Sequence, residues 1–291
     1  MRNSMFFCSY SVWSRHFLSF FLLFSTIVSA AGLEDPQGYA KNSSLQWNWA
    51  LQAIEKYPWS HAERVLDIGC GDGKISALIA EKYTKGPVIG MDISPAMVCY
   101  ASSSFPSNTH PNLLFQKGDI SMLPFYEQFD LIVSFCSLHY VVEQEKGLQH
   151  IHESLRPEGK LLVVVPGKDN TSVANISETL VKLEKWAYLF PAFKKQRIYF
   201  TAEEYKILLA ECGFEPLSFD ITHDQISFSD RSALIDWLRP IVNYISHLSL
   251  DLQEEFLWDL SSMMLLSALP TQNGSILLES TMFEHLYQKR K

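Results

Sequence analysis

Apolar positions along the chain change their spacing several times. From Phe17 to Ala31 they run on without a charge. After a loop-like stretch from Gly32 to Asn42, the cluster Asn42-Ser43-Ser44 can cap a helix over Leu45–Ile54, whose apolar residues recur at helical spacing and predict one buried face. Beyond it, short apolar runs alternate with helical stretches. The pattern predicts strands over Arg64–Ile68, Pro87–Asp92, Asn112–Gln116, Phe129–Phe135 and Lys160–Val165, with helices near Lys74–Tyr83, Pro95–Ser104 and Glu143–Leu155. Past Pro166 the alternation breaks. A helix-rich piece occupies about Thr171 to Phe190, and Thr201-Ala202-Glu203-Glu204 opens a further helix as a capping box. That helix stops at Gly213; a strand (Phe214–Ile221), a second helical stretch (about Asp230 to Leu269) and a closing strand (Ile276–Tyr287) follow. The expected architecture is α/β, a doubly wound, mostly parallel seven-stranded sheet. Two helical insertions, about residues 168–200 and 222–272, are expected to form a lid.

Composition narrows the class. The 291 residues are 47% apolar and 19% charged, with no fixed repeat, which excludes disordered, collagenous and solenoid chains. With 24 basic against 32 acidic residues, the net charge is −8, and no basic block exceeds Lys194-Lys195-Gln196-Arg197, so a nucleic-acid surface is disfavoured. That run can greet an anionic substrate or carrier protein, or be a solvated surface, the commoner use. Five cysteines (Cys8, Cys70, Cys99, Cys136, Cys212) include no Cys-x-x-Cys pair, so neither a disulfide framework nor a zinc site is expected, and no metal is assigned.

The stretch from Phe17 to Ala31 follows Arg2, Arg15 and His16 and ends in Val28-Ser29-Ala30, the layout of a secretory signal peptide or short anchor. An upstream start or an apolar tail folded onto the body are the other readings. Four Asn-x-Ser/Thr triplets, at Asn42, Asn170, Asn175 and Asn273, do not decide the compartment.

The candidate chemistry begins where the first strand ends, in Asp67-Ile68-Gly69-Cys70-Gly71-Asp72-Gly73-Lys74. Glycines at 69, 71 and 73 let the backbone turn sharply and approach a ligand, and the next helix offers unpaired N–H groups to an anion. The second strand ends in Asp92, whose carboxylate can accept both hydroxyls of a ribose. The third leads to Asp119 and Ile120, where an adenine can be read. Three such features at successive strand ends occupy the edge where open α/β sheets bind ligands.

This ensemble resembles the class I S-adenosylmethionine-dependent methyltransferases, from roughly Leu45 to the C-terminus, through Val65–Gly73, Gly90–Met97, Gly118-Asp119-Ile120 and Phe129–Ser134. The resemblance implies a Rossmann-like fold with S-adenosyl-L-methionine as cofactor, held by Asp67, Gly69, Cys70, Gly71, Gly73, Asp92, Ile93, Met97, Asp119, Ile120 and Ser134. In it the methionine moiety lies over the Gly69–Gly73 loop, Asp67 helps position its amino group, Asp92 binds the ribose diol, and Asp119 with Ile120 addresses the adenine. Because the donor is ordinarily a cytosolic metabolite, the resemblance also implies a body facing the cytosol, with residues 17–31 a possible membrane contact. A nicotinamide-dependent dehydrogenase competes, since Asp92 also suits a Gly-rich turn, but the glycines fall as Gly-x-Gly-x-Gly rather than Gly-x-Gly-x-x-Gly. A non-catalytic nucleoside-binding protein is the third reading.

For the acceptor, no Gly-x-Ser-x-Gly elbow or His-Glu-x-x-His motif competes. Asn42–Gln46 and Ser134–Tyr140 are similar to the small-molecule carboxylate methyltransferases, the juvenile hormone acid, trans-aconitate and malonyl-carrier-protein group. That similarity implies a carboxylate, small or acyl-chain, held by Gln46 and the aromatic Tyr140, which stands where the group usually has Trp. His139 is either a base for a hydroxyl or amine acceptor or a core histidine. A quinone-like or phenolic acceptor is the alternative, since related folds share Asp119 and the Leu123-Pro124-Phe125 turn. Large apolar groups such as Trp186, Phe190, Trp237 and Trp258 either line a lid over an apolar chain or pack the helices.

Overall fold

The computed structural model describes residues 35–168, 172–193, 197–271 and 274–290. The apolar stretch over residues 17–31 lies outside them, as do Lys194, Lys195, Asn170 and Asn273. Among the described residues, no helix is long and apolar enough to cross a membrane.

In chain order the elements are α1 (Pro36–Asn42), α2 (Ser44–Lys56), β1 (Val65–Ile68), α3 (Lys74–Leu78), β2 (Val88–Asp92), α4 (Pro95–Ser104), β3 (Leu113–Lys117), β4 (Phe129–Phe135), α5 (Gln144–Ser154) and β5 (Leu155–Pro166). They continue through α6 (Val173–Leu180), α7 (Glu184–Ala187), α8 (Ala202–Glu211), β6 (Phe214–Phe228), α9 (Arg231–Leu238), α10 (Leu250–Leu265) and β7 (Ile276–Lys289). The strands form one seven-stranded sheet in the order β3-β2-β1-β4-β5-β7-β6. β1 to β5 are parallel, and β7 runs antiparallel to both of its neighbours. The doubly wound expectation is met.

Alternation along the strands sends side chains to two cores. Leu66, Ile132, Leu161 and Val163 pack with Leu148, Ile151 and Leu209 of α5 and α8 on one face. Val65, Leu131, Val133 and Leu162 pack with Ala50, Ile54 and Ala77 of α2 and α3 on the other. A third core is separate. In it Leu180, Trp186, Leu234, Phe256 and Leu260 of α6, α7, α9 and α10 close over Ile226, Phe228, Ile276 and Leu278 at the far end of the β6–β7 hairpin. Trp186 and Phe190 therefore serve as packing core, whereas Trp258 is exposed.

Several boundaries differ from the sequence reading. Residues 36–42, read as loop, form α1, whose Asp35 carboxylate accepts the Gly38 N–H at 2.9 Å ahead of a proline at its start. Ser43 precedes α2 without a side-chain cap, its hydroxyl being taken by the Lys74 ammonium at 2.5 Å. α3 is regular only to Leu78 and continues as a π-helical turn over Ile79–Tyr83. Strand β6 runs to Phe228, so residues 222–228, assigned to the helical insertion, are strand; they pair residue by residue with Leu277–Met282 and Ile276 of β7.

Candidate active site

The strand-to-helix turn after β1 is built on three left-handed glycines: Gly69, Gly71 and Gly73 have φ of 76°, 54° and 83°. Two of them are required sterically as well. A Cβ at Gly69 would stand 2.2 Å from the Ser137 hydroxyl, and one at Gly73 would stand 2.6 Å from the Ala101 methyl. The Gly69 and Cys70 N–H groups both donate to the Met91 carbonyl, at 2.7 and 3.0 Å, pinning the loop to β2.

At the end of β2, the buried Asp92 carboxylate accepts the Gly71 N–H at 3.0 Å and the Ser94 N–H at 2.9 Å. Burial pushes its pKa above the ordinary carboxylate range, against the pull of these backbone donors. Asp67, inside β1, accepts the Ser76 hydroxyl at 2.6 Å and is pushed up to about 7 by burial, with Asp92 and Asp72 adding to the rise. Asp119 accepts the Ser121 N–H at 2.8 Å and so caps the single 3-10 turn Ile120–Met122. Ile93 is 46% exposed beside Asp92. Asp67, the Gly69–Gly73 loop, Asp92, Ile93, Asp119 and Ile120 thus gather at the carboxyl ends of β1, β2 and β3, next to the β1–β4 junction where the strand order reverses.

Two expected cofactor residues are placed differently. The Met97 and Ser134 side chains are 0% exposed. Met97 anchors α4 in the core, and the Ser134 hydroxyl donates to the Ile68 carbonyl at 3.0 Å, bracing the loop from beneath. Neither side chain reaches the surface, and Asp67, at 1% exposed, barely does. A residue that sequence reasoning missed covers the loop instead: the ring of Tyr39, on α1, lies 3.3 Å from where a Gly71 Cβ would be. Burial, then Cys136, Asp72, Tyr140 and Asp92 around it, push its phenol well above the ordinary range. The Asp35-Pro36 pair was the available sign of this helix.

The acceptor side starts from a bent backbone. Cys136, after β4, takes a left-handed φ of 53° unusual for a residue with a side chain. The turn carries His139 and Tyr140 into a cavity that is also lined by Gln46, Arg197, Tyr199 and Trp237. The Gln46 side-chain oxygen, the His139 Nδ1 and the Trp237 indole N–H are buried with no hydrogen-bond partner in the structure. Tyr140 is 40% exposed, and the Arg197 guanidinium stacks on its ring at 4.6 Å. Burial, and secondarily the Arg197 charge, hold the His139 imidazole well below its ordinary pKa, so it is neutral and weakly basic. Arg197 itself is only 6% exposed and donates to the Ile241 carbonyl. The solvated-surface reading of residues 194–197 therefore fails at Arg197.

A reversal point carrying a glycine turn and acidic strand ends defines a doubly wound α/β fold with a ligand site at the carboxyl edge of its sheet. A family model described as a methyltransferase domain matches residues 60–211, and the chain belongs to that family: it is an S-adenosyl-L-methionine-dependent methyltransferase. The nicotinamide and non-catalytic readings fall away. The chain is 33% identical to juvenile hormone acid O-methyltransferase of Bombyx mori over 156 residues, 51% of this chain and 55% of that one. It is 26% identical to trans-aconitate 2-methyltransferase of Delftia acidovorans over 235 residues, 77% of this chain and 86% of that one. In fold it is similar to Haemonchus contortus phosphoethanolamine N-methyltransferase 2 in complex with S-adenosyl-L-methionine, with a TM-score of 0.58 at 17% identity, covering 92% and 59% of the two chains.

Proposed function

We propose that the enzyme methylates an oxygen of a carboxylic acid. The observation that carries this reading is the chemistry of the cavity wall: hydrogen-bonding groups and a cation converge there, while its one imidazole has lost most of its basicity. A phenol or ammonium acceptor must be deprotonated, which calls for a base with a pKa near the working pH. A carboxylic acid, with a pKa near 4, arrives ionised and needs only to be held. The names of the Bombyx and Delftia relatives point the same way.

The donor residues fit S-adenosyl-L-methionine, which supplies an electrophilic methyl group on a sulfonium. The backbone of Gly69–Gly73 and the neighbouring Asp67 hold the amino-acid end. Asp92 takes the ribose hydroxyls, and Asp119, Ile93 and Ile120 take the base. Tyr39 shields the loop from water. On the acceptor side Gln46 presents an uncommitted amide, which can offer its N–H or its oxygen by a flip. Tyr140 adds an aromatic wall. The contribution of these side chains is alignment at about 3–3.5 Å and exclusion of water, with no proton to move.

The test is a mass-spectrometric screen of acids, phenols and amines for gain of one methyl group, followed by Gln46→Ala. With an acid acceptor, this variant should raise KM and lower kcat/KM by roughly ten- to hundredfold, the effect of one hydrogen bond to a charged group, with S-adenosylhomocysteine affinity unchanged. Methylation confined to phenols, quinones or amines, with Gln46→Ala active and His139→Ala inactive, overturns the assignment.

A further inference from the structure

Arg197 is a buried cation. Among the described residues no carboxylate lies within ion-pair distance of it; its contacts are the Ile241 carbonyl, the ring of Tyr140 and the hydroxyls of Tyr140 and Tyr199. Removing a charge from water without a counter-charge is unfavourable, so such a site gains strongly from an anion. Glu279, the carboxylate on the cavity wall, is an exposed residue.

We propose that Arg197 is the specificity-determining residue of the acceptor cavity, holding a second carboxylate of the substrate apart from the one that is methylated, so that the substrate class is a compact dicarboxylic acid. Tyr140 separates the two places. It lies close enough to Tyr39, over the glycine loop, to raise that phenol, and it carries the Arg197 guanidinium on its ring. An anion paired with the guanidinium is thus displaced from the donor loop by the Tyr140 ring. Pairing with a guanidinium also ties up the lone pairs that a nucleophilic oxygen needs, which suits a spectator carboxylate and not a reacting one. Size favours a compact acid. The cavity measures about 110 Å³.

The inference rests on the carboxylate reading, and one experiment separates their failures. Wild type and Arg197→Gln, each checked for S-adenosylhomocysteine binding, receive a series of dicarboxylates from succinate to suberate, each beside the acid in which one carboxylate is replaced by methyl. In wild type, kcat/KM for the best dicarboxylate is expected to exceed that of its partner acid by about ten- to hundredfold, as one charge-assisted pair allows, with the difference in KM. In Arg197→Gln this ratio falls toward one, and Arg197→Lys restores part of it, because Lys keeps the charge but not the fork. A wild-type preference for the monocarboxylates overturns the inference whether or not any variant folds. So does an equal fall for both acids in Arg197→Gln, which would put Arg197 on the reacting carboxylate or in the scaffold. Failure of wild type to methylate any acid of the series counts against the carboxylate reading itself.

Discussion

Asp67 shows how much a single buried carboxyl shapes the behaviour of this site. Its one side-chain hydrogen bond, from Ser76, does not offset its desolvation, and burial raises it from the ordinary 3.8 to about 7. Its folded pKa lies above its unfolded one. Its contribution to stability is therefore complete below the unfolded value and is lost as pH rises toward about 7. Asp67→Asn, which keeps an oxygen for the Ser76 hydroxyl, should gain on wild type in thermal unfolding between pH 4 and 7, by on the order of 4 kcal/mol, and hold that margin above. A margin independent of pH would show that Asp67 is ionised throughout. This residue was legible in the sequence because the loop motif is continuous in the chain, and the same holds for Gly69 and Gly71, while Asp92 was read from its own run Gly90–Met97. Arg197 and Tyr39 were not. Arg197 ends a basic run that looks solvated, and only the packing of Tyr140, Tyr199 and Ile241 makes it a buried cation. Tyr39 reaches Gly71 across the fold, which local spacing does not encode.

Elements set by local chemistry were read well, and those set by a distant partner less so. α8 begins at Thr201, whose hydroxyl accepts the Glu204 N–H at 3.2 Å while the Glu204 carboxylate accepts the Thr201 N–H at 2.8 Å, the reciprocal pair expected from four consecutive residues. Thr201→Ala should lower stability by about 1 kcal/mol, and Thr201→Ser should leave it unchanged. The two melting temperatures decide it: equal losses would mean that the methyl, not the hydroxyl, holds the helix end. β6 was harder. Its polar run Thr222-His223-Asp224-Gln225 has the composition of a loop, yet it stays extended because Glu279–Met282 of β7 are there to bond it. One face of this stretch looks to water, so no apolar alternation announces it. α1 was missed for a related reason: its seven residues, none of them buried as a whole, carry no periodic stripe.

At the scale of the whole molecule, two buried titrating groups pull stability in opposite directions. His285 is 0% exposed between Tyr205, Phe219 and Tyr287, with no hydrogen-bond partner for either ring nitrogen. Burial, and then the Lys206 charge, lower its pKa from 6.5 to about 3. The unfolded chain takes up a proton that the folded one refuses, so stability is lost as pH falls below 6.5, by roughly 2 kcal/mol between pH 7 and 5. His285→Phe should remove that loss, leaving the Asp67 slope of opposite sign exposed. Denaturant titrations across pH 4 to 7 measure both, and an unaltered acid limb in His285→Phe would place the acid sensitivity elsewhere. The join between the sheet and the α9–α10 helices has a different sort of consequence. Phe228 and Ile276 are direct partners in the ladder, so the chain leaves the sheet and returns to it at adjacent points. Everything between them can be exchanged as one contiguous stretch, in a single genetic event, without disturbing the order of the strands. A lineage that inherits this sheet can therefore redraw one wall of the cavity, the side that carries Trp237, Ile241, Met264 and Ser267, while the glycine turn after β1 is copied unaltered.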